Sequence, residues 1–147
     1  MKHIRLANKN DVYSIKHMIH SQIHHFSKDD VPQWVSTSLT YNQIVKRLND
    51  NQFLHYVCEV NKKVVGYLAI NQQHVHHFFV NQEYQKQGVA KTMWKNFLGE
   101  TSFKKLTVRS SLNAIGFYEK MGFIRKDIQH CKGVDFCNMN WEKHNVS

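Results

Sequence analysis

Proline is almost absent: Pro32 stands alone in 147 residues, and glycine occurs only six times. That scarcity excludes collagen-like and Pro/Gly-rich low-complexity chains. Cysteine is scarce too. Cys58, Cys131 and Cys137 are an odd number without CxxC spacing, which argues against a disulfide framework and against a thiolate zinc site. No apolar run approaches a membrane span. The opening MKHIRLANKND is charged and lacks the apolar stretch of a secretory signal, so the expected compartment is the cytoplasm. Acidic residues are in short supply, 11 against 20 Lys and Arg, for a formal charge of +9. Such a field favours polyanions, either nucleic acid or a small phosphate-rich ligand, and the plainest alternative is solubility alone. The basic residues are scattered, and no zinc-finger, RRM or KH signature accompanies them, so nucleic acid is a minority reading.

What is present supports a packed core. Hydrophobic residues make up 41% and aromatics 12%, enough for one domain over residues 1–147. HIRLA at 3–7 alternates as a short strand, and Asn10 or Asp11 can cap the helix that follows. Val12, Ile15, Ile19 and Ile23 recur at helical spacing. The pattern is lost from about His24 to Leu39, and 40–50 suits a second short helix. FLHYVCEV (53–60), the turn NKK and VVGYLAI (64–70) read as a β-hairpin in which Gly66 signals a bulge or a close backbone approach. QHVHHFFV (73–80) is a further strand. Val89, Met93 and Phe97 form one stripe of a helix over 88–98, which Gly99 would end. KKLTVRS (104–110) is a strand, 111–121 a helix with Ser111 as N-cap and Gly122 as its C′ residue, and 123–128 and 135–141 are closing strands. Alternating strands and helices behind a hairpin predict α/β character with a mixed sheet.

The stretch QKQGVAKTMW (85–94) places a strand, a glycine turn and a helix start in succession. Unpaired N–H groups and the positive end of the helix dipole make such a start an anion site suited to phosphate, with Lys86 and Lys91 adding charge. An ordinary tight turn is the competing reading. Neither the P-loop spacing nor the GxGxxG turn is present.

NAIGFYEKMGF (113–123) follows one strand later. With VNQEYQKQGVAKTMW it resembles the GNAT superfamily of acyl-CoA-dependent N-acetyltransferases. Gln85, Lys86, Gln87, Gly88, Val89 and Ala90 match that family's Q/R-x-x-G-x-G/A loop. Ala114, Phe117, Tyr118, Glu119, Lys120, Gly122 and Phe123 match its A-x-x-F-Y-E-K-x-G-F helix. The order of elements agrees across nearly the whole chain. The resemblance implies an α/β (α+β) fold with a mixed central sheet of about six to seven strands, about four flanking helices and two central strands that splay apart. Three positions depart from common family patterns: Lys86 where glycine is frequent, and Arg109 and Ser111 where relatives carry asparagine.

The resemblance also implies a chemistry. Acetyl-CoA would lie between the strands at 74–80 and 104–109. Backbone N–H groups of Gln87, Gly88, Ala90 and Lys91 would hold its pyrophosphate. Phe79 and Val80 would pair with the pantetheine arm and supply an oxyanion donor. Gln85, Lys86 and Val89 would complete the loop, and Ser111 and Asn113 the pantetheine contacts. Acetyl would pass directly to a primary amine of a small molecule or peptide, and Tyr118 would protonate the leaving thiolate. An amine of pKa near ~10.4 must lose a proton before it attacks. Relatives often use a Glu on the strand before the glycine turn, where this chain has His74, His76 and His77. His74 and His76 share a face by two-residue alternation and are the candidate bases. Glu83 is a further candidate, though its turn position reads as structural. HVHH also invites a metal, but no carboxylate or cysteine sits at a supporting spacing, so none is expected. Phe26, Asp29, Asp30 and Trp34, in the loop after the first helix, are candidate acceptor contacts. The sequence leaves the oligomeric state open; dimers are common in the family, and a homodimer rests on that analogy alone. A GNAT-fold acyl-CoA-binding protein with little turnover stands as the alternative.

Overall fold

The structure is a computed structural model that describes residues 1–22 and 40–143. The candidate acceptor contacts Phe26, Asp29, Asp30 and Trp34 lie outside the described residues. β1 (Lys2–Leu6) leads into a short 3-10 turn (Lys9–Asp11) and α1 (Val12–Gln22). The cap is a capping box: Asn8 Oδ1 accepts from the Asn10 N–H, and Asp11 accepts from the Asn8 N–H. Asp11 takes part as expected, but the cap residue is Asn8, because the 3-10 turn starts the helical path one step earlier. Both Asp11 carboxylate oxygens also accept from Arg5, each at 2.8 Å, which ties β1 to the start of α1.

α2 (Tyr41–Leu48) is capped by Thr40. β2 (Phe53–Val60) and β3 (Lys63–Asn71) form the expected hairpin, turned by Asn61 and Lys62 at φ 52° and 65°. β4 (His74–Val80), α3 (Val89–Glu100), β5 (Lys105–Ser111), α4 (Ile115–Lys120), β6 (Ile124–Cys131) and β7 (Val134–Glu142) complete the described chain. The sheet has seven strands in the order β1-β2-β3-β4-β5-β7-β6. Every neighbouring pair is antiparallel except β4–β5. One face packs against α3 and α4, with Val89, Met93 and Phe97 buried as the helical stripe predicted. The other packs against α1 and α2 through Val12, Ile15, Ile19 and Ile44. Among the described residues two helices lie on each face of the mixed sheet, a three-layer α/β arrangement.

Two glycines explain local geometry. Gly66 faces α3, and a Cβ there would stand 2.6 Å from Met93 Sδ and 3.1 Å from Val89 Cγ1. That is the close approach the sequence signalled. A bulge lies beside it, where the register shifts between Cys58 and Glu59. Gly122 has φ 102° and closes α4 as its C′ residue, donating to the Glu119 carbonyl.

Two expected boundaries move. Gly99 lies inside α3, which runs on to Glu100, and Thr101 takes the capping position. Ser111 ends β5 and makes no side-chain cap bond; a 3-10 turn over Leu112–Ala114 intervenes before α4.

The parallel junction positions the site. β4 and β5 register only at His74↔Thr107 and Val75↔Val108. Beyond Val75 the two strands part, and the edge of β4 that would have paired with β5 faces a cleft.

Candidate active site

The cleft between β4 and β5 opens into a cavity of about 980 Å³. Its wall on one side is β4 from His74 to Val80, apart from Val75. The other is formed by Arg109, Ser111 and Asn113, with Phe117 and Tyr118 of α4 beyond them. At one mouth lie Gln85, Lys86, Gly88, Val89, Ala90 and Lys91.

That mouth has the geometry of an anion cradle. Gly88 is the N-cap of α3 at φ 79°, and Lys86 also takes a left-handed conformation at φ 66°. The first intrahelical bond runs from the Thr92 N–H to the Gly88 carbonyl, so helix geometry leaves the N–H groups before it without intrahelical partners. Among the described residues, Gly88 and its chain neighbours aside, no atom lies within 4 Å of where a Gly88 Cβ would be, so the approach to the backbone is open. The helix dipole and the side chains of Lys86 and Lys91 make this end positive. Gln85 braces the loop by donating from Nε2 to the Val80 carbonyl at 3.1 Å. Gln87 is the one expected loop residue whose side chain turns away. It bonds the Glu83 carbonyl instead, and Gln87 does not line the cavity.

Tyr118 reaches the cavity from α4. Its ring is held edge-on against Phe117 and Phe123, at 5.1 and 5.5 Å between centroids. Only 6% of the residue is exposed, and its hydroxyl makes no hydrogen bond among the described residues. Burial pushes the phenol well above its ordinary range, so it is protonated at neutral pH.

The histidines gather on the face of β4 that looks toward α2. A bulge causes this. Ala69 pairs with His77 and Ile70 with Val75, leaving His76 as the extra residue. His76 and His77 therefore lie side by side, 4.4 Å between ring centroids, where strict alternation would have set them on opposite faces. His74 shares their cavity and bonds Thr107 Oγ1 through Nδ1 at 2.8 Å. Burial lowers all three, with help from neighbouring cations: Arg109 acts on His74, and Arg47 on His76 and His77. His76 falls to about 4, although part of its ring is open to the cleft. All three are neutral near pH 7. The bonding fixes one tautomer. Arg47 can only donate, so His77 Nε2 accepts from Arg47 Nη1 at 3.0 Å and the His77 proton sits on Nδ1. Behind them His55 Nε2–H donates to the Arg47 carbonyl, and its Nδ1 accepts from the Tyr67 hydroxyl at 2.7 Å.

A family model described as an acetyltransferase (GNAT) domain matches residues 22–143. The chain belongs to the GNAT acetyltransferase family. Among curated relatives, the Escherichia coli (strain K12) protein YafP, an uncharacterized N-acetyltransferase, is 27% identical over 116 residues, which are 78% of this chain and 73% of YafP. Solved structures share the fold. A GCN5-related N-acetyltransferase from Rhodopseudomonas palustris aligns with TM-score 0.80 at 19% identity, over 97% of this chain and 96% of its own. The PaiA N-acetyltransferase from Thermoplasma acidophilum, solved in complex with coenzyme A, aligns with TM-score 0.74 at 13% identity, over 97% and 99%.

In this GNAT chain the cleft brings together Tyr118, His74, His76 and ten of the eleven residues the sequence assigned to the cofactor, Gln87 being the exception. Glu83 is outside: its side chain is 78% exposed and reaches toward Lys63. Sequence reasoning missed Arg47, Tyr84, Phe117 and Lys120 as cavity residues, and did not choose His77. For His77 and Phe117 a signal existed, since both adjoin selected residues. Arg47 comes from α2, and no short motif links it to β4.

Proposed function

We propose that this GNAT acetyltransferase moves an acetyl group from acetyl-CoA directly to a primary amine, with Tyr118 protonating the departing thiolate. The observation that carries the reading is the placement of two separate features on one cleft: the open N–H groups at the start of α3 and the Tyr118 hydroxyl, which makes no hydrogen bond among the described residues. The residues fit the donor. Backbone N–H groups around Gly88, with Lys86 and Lys91, would take the phosphates. The unpaired edge of β4 at Phe79 and Val80 would take the pantetheine amides as an added strand. Ser111 and Asn113 line the opposite wall within reach of the same arm.

Acetyl-CoA supplies the activated acyl group, a thioester. The chain does the rest. An amine enters beside His74 and His76 and loses a proton to that neutral pair, directly or through water. Backbone N–H groups at the end of β4 donate to the carbonyl oxygen as negative charge develops there. The carbon–nitrogen bond forms, the carbon–sulfur bond breaks, the Tyr118 proton moves to sulfur, and the proton that the nitrogen sheds as the amide forms returns to the phenolate through water. The burial that raises the phenol also raises a thiolate held in the same apolar pocket, so donor and acceptor remain matched.

The test has two stages. Calorimetry with acetyl-CoA, using adenosine diphosphate and NAD as controls, reads the cradle; micromolar binding selective for acetyl-CoA is expected. Tyr118→Phe should then lower kcat by roughly 100-fold or more, the usual scale of a lost acid catalyst, while acetyl-CoA affinity is kept. Unchanged turnover in that variant would remove Tyr118 as the acid. Tight binding with no turnover of any amine would favour the acyl-CoA-binding alternative.

A further inference from the structure

We propose that the acceptor is an amine bearing its own anionic group, a carboxylate or a phosphate, which Arg109 holds while the amine faces the histidines. This rests on the acetyl-transfer reading above and names its substrate class. The starting observation is the charge of the cavity wall. Arg47, Lys86, Lys91, Arg109 and Lys120 line it, and among the described residues no aspartate or glutamate does.

These cations do not all serve the same end. Lys86 and Lys91 flank the start of α3, beyond the last residue of β4. Arg109 is two residues past Thr107, which registers with His74. Arg109 is therefore about level with His76 on the opposite wall. Strands rise about 3.3 Å per residue, so Arg109 stands roughly 10 Å short of the end of β4. It is too far back to share the phosphate cradle, and it stands beside the histidines where the amine must arrive.

Arg109 is also available. Its side chain is exposed, with the guanidinium carbon 5.7 Å from the centre of the Phe136 ring, a cation–π position that holds the head group over the cleft. It makes no ion pair among the described residues, whereas Arg5 and Arg125 each hold a carboxylate. A guanidinium with unused donors and a fixed plane is suited to a carboxylate or phosphate in two-point contact.

The same field acts on the amine. A positive neighbour disfavours an ammonium ion and lowers its pKa. The cleft therefore helps to deliver the neutral nucleophile that weakly basic histidines alone would generate slowly. An acceptor with several ammonium groups suffers the same repulsion without compensation. An acceptor with an anion recovers binding at Arg109 and gains reactivity at nitrogen.

The experiment compares matched pairs with the full chain and saturating acetyl-CoA: L-amino acids against their amides, phosphoethanolamine against ethanolamine, and spermidine as the polycation. Released CoA thiol is the readout. The anionic member should win by roughly 10- to 100-fold in kcat/KM, the range of one charge-assisted contact. The acid and phosphate arms show which anion is preferred. Amides are the less basic amines, so a preference for the acids is the stricter result. Arg109→Gln should erase the preference, chiefly through KM, with acetyl-CoA affinity retained. Equal or faster turnover of amides or spermidine would overturn the proposal, as would refusal of every anionic amine by protein that binds acetyl-CoA. A thermal-shift series with the same acids and amides, without acetyl-CoA, reads the contact independently of turnover. Stabilisation by acids alone, lost in Arg109→Gln, supports it; equal shifts from acids and amides overturn it. Failure to bind acetyl-CoA would sink the transferase reading instead.

Discussion

Replacing Gly66 with alanine adds one methyl group at a close contact between β3 and α3. The new Cβ would stand 2.6 Å from Met93 Sδ and 3.1 Å from Val89 Cγ1, and the surrounding side chains are buried. The Met93 thioether is flexible and can move, but Val89 is the first residue of α3 and is fixed by the helix start. Overpacking of this kind costs about 1–3 kcal/mol. For a chain of 147 residues one kcal/mol lowers the melting temperature by about 3 °C, so a loss of roughly 3–10 °C is expected. The displacement acts on the end of α3 that offers its N–H groups to the cleft, so acetyl-CoA affinity should fall by several-fold as well. Thermal melts and calorimetry on Gly66→Ala read both effects. A double-mutant cycle with Met93→Ala locates the cause: Gly66→Ala should cost less where the thioether is already gone. An unchanged melting temperature, or the same cost in both backgrounds, would refute the assignment of the clash to Met93.

Other outcomes follow from the same geometry. Gly88→Val forces a β-branched residue into the left-handed region, a strain of about 1–2 kcal/mol, and should weaken acetyl-CoA binding by about 5- to 30-fold by calorimetry while the far-ultraviolet spectrum is unchanged. Arg5→Gln leaves the buried Asp11 carboxylate without its bidentate partner and should cost about 3 kcal/mol in denaturant unfolding; a loss below a few tenths would show that the pair is not structural. Stability should also depend on pH in one direction. His55, His74, His76 and His77 are all held below their ordinary value in the fold, so the unfolded chain binds more protons as pH falls. Their contribution is complete above about 6.5 and is lost on the way down toward about 4, the value for His76. Melting temperatures at pH 7.5 and 5 should differ accordingly, and His77→Asn should flatten the difference. Burial opposes the charge of Asp11, yet its bonds to Arg5 and to the Asn8 N–H hold its carboxyl below the usual range, so its share is lost only at still lower pH.

Much of this architecture was legible because periodicity and glycine chemistry act locally. The stripe of Val89, Met93 and Phe97 could only be a helix face, and Gly122 needed the positive φ that it has. Gly66 was readable as a bulge or a close approach because those are what favour glycine in the middle of a strand, and both lie there. The cavity lining at Gly88 and Tyr118 followed from two short motifs. What escaped was set by tertiary contact. Arg47 reaches His77 across thirty positions of sequence. Gly99 looked like a helix stop, but the helix continued because nothing forced a left-handed residue there. The lowering of the histidines comes from burial, from one another and from two arginines, none of which a strand pattern reports.

The bulge at His76 makes the length of β4 a functional variable. Side chains along a strand count in twos, and the extra residue resets the parity between Val75 and His77. Substitutions near the bulge change one side chain at a time. Deleting His76 would remove the bulge and restore simple alternation: Val75 would still face α3 and His77 the cleft, and the cleft would lose one imidazole. The extra position adds a side chain to the cleft without turning the rest of the strand.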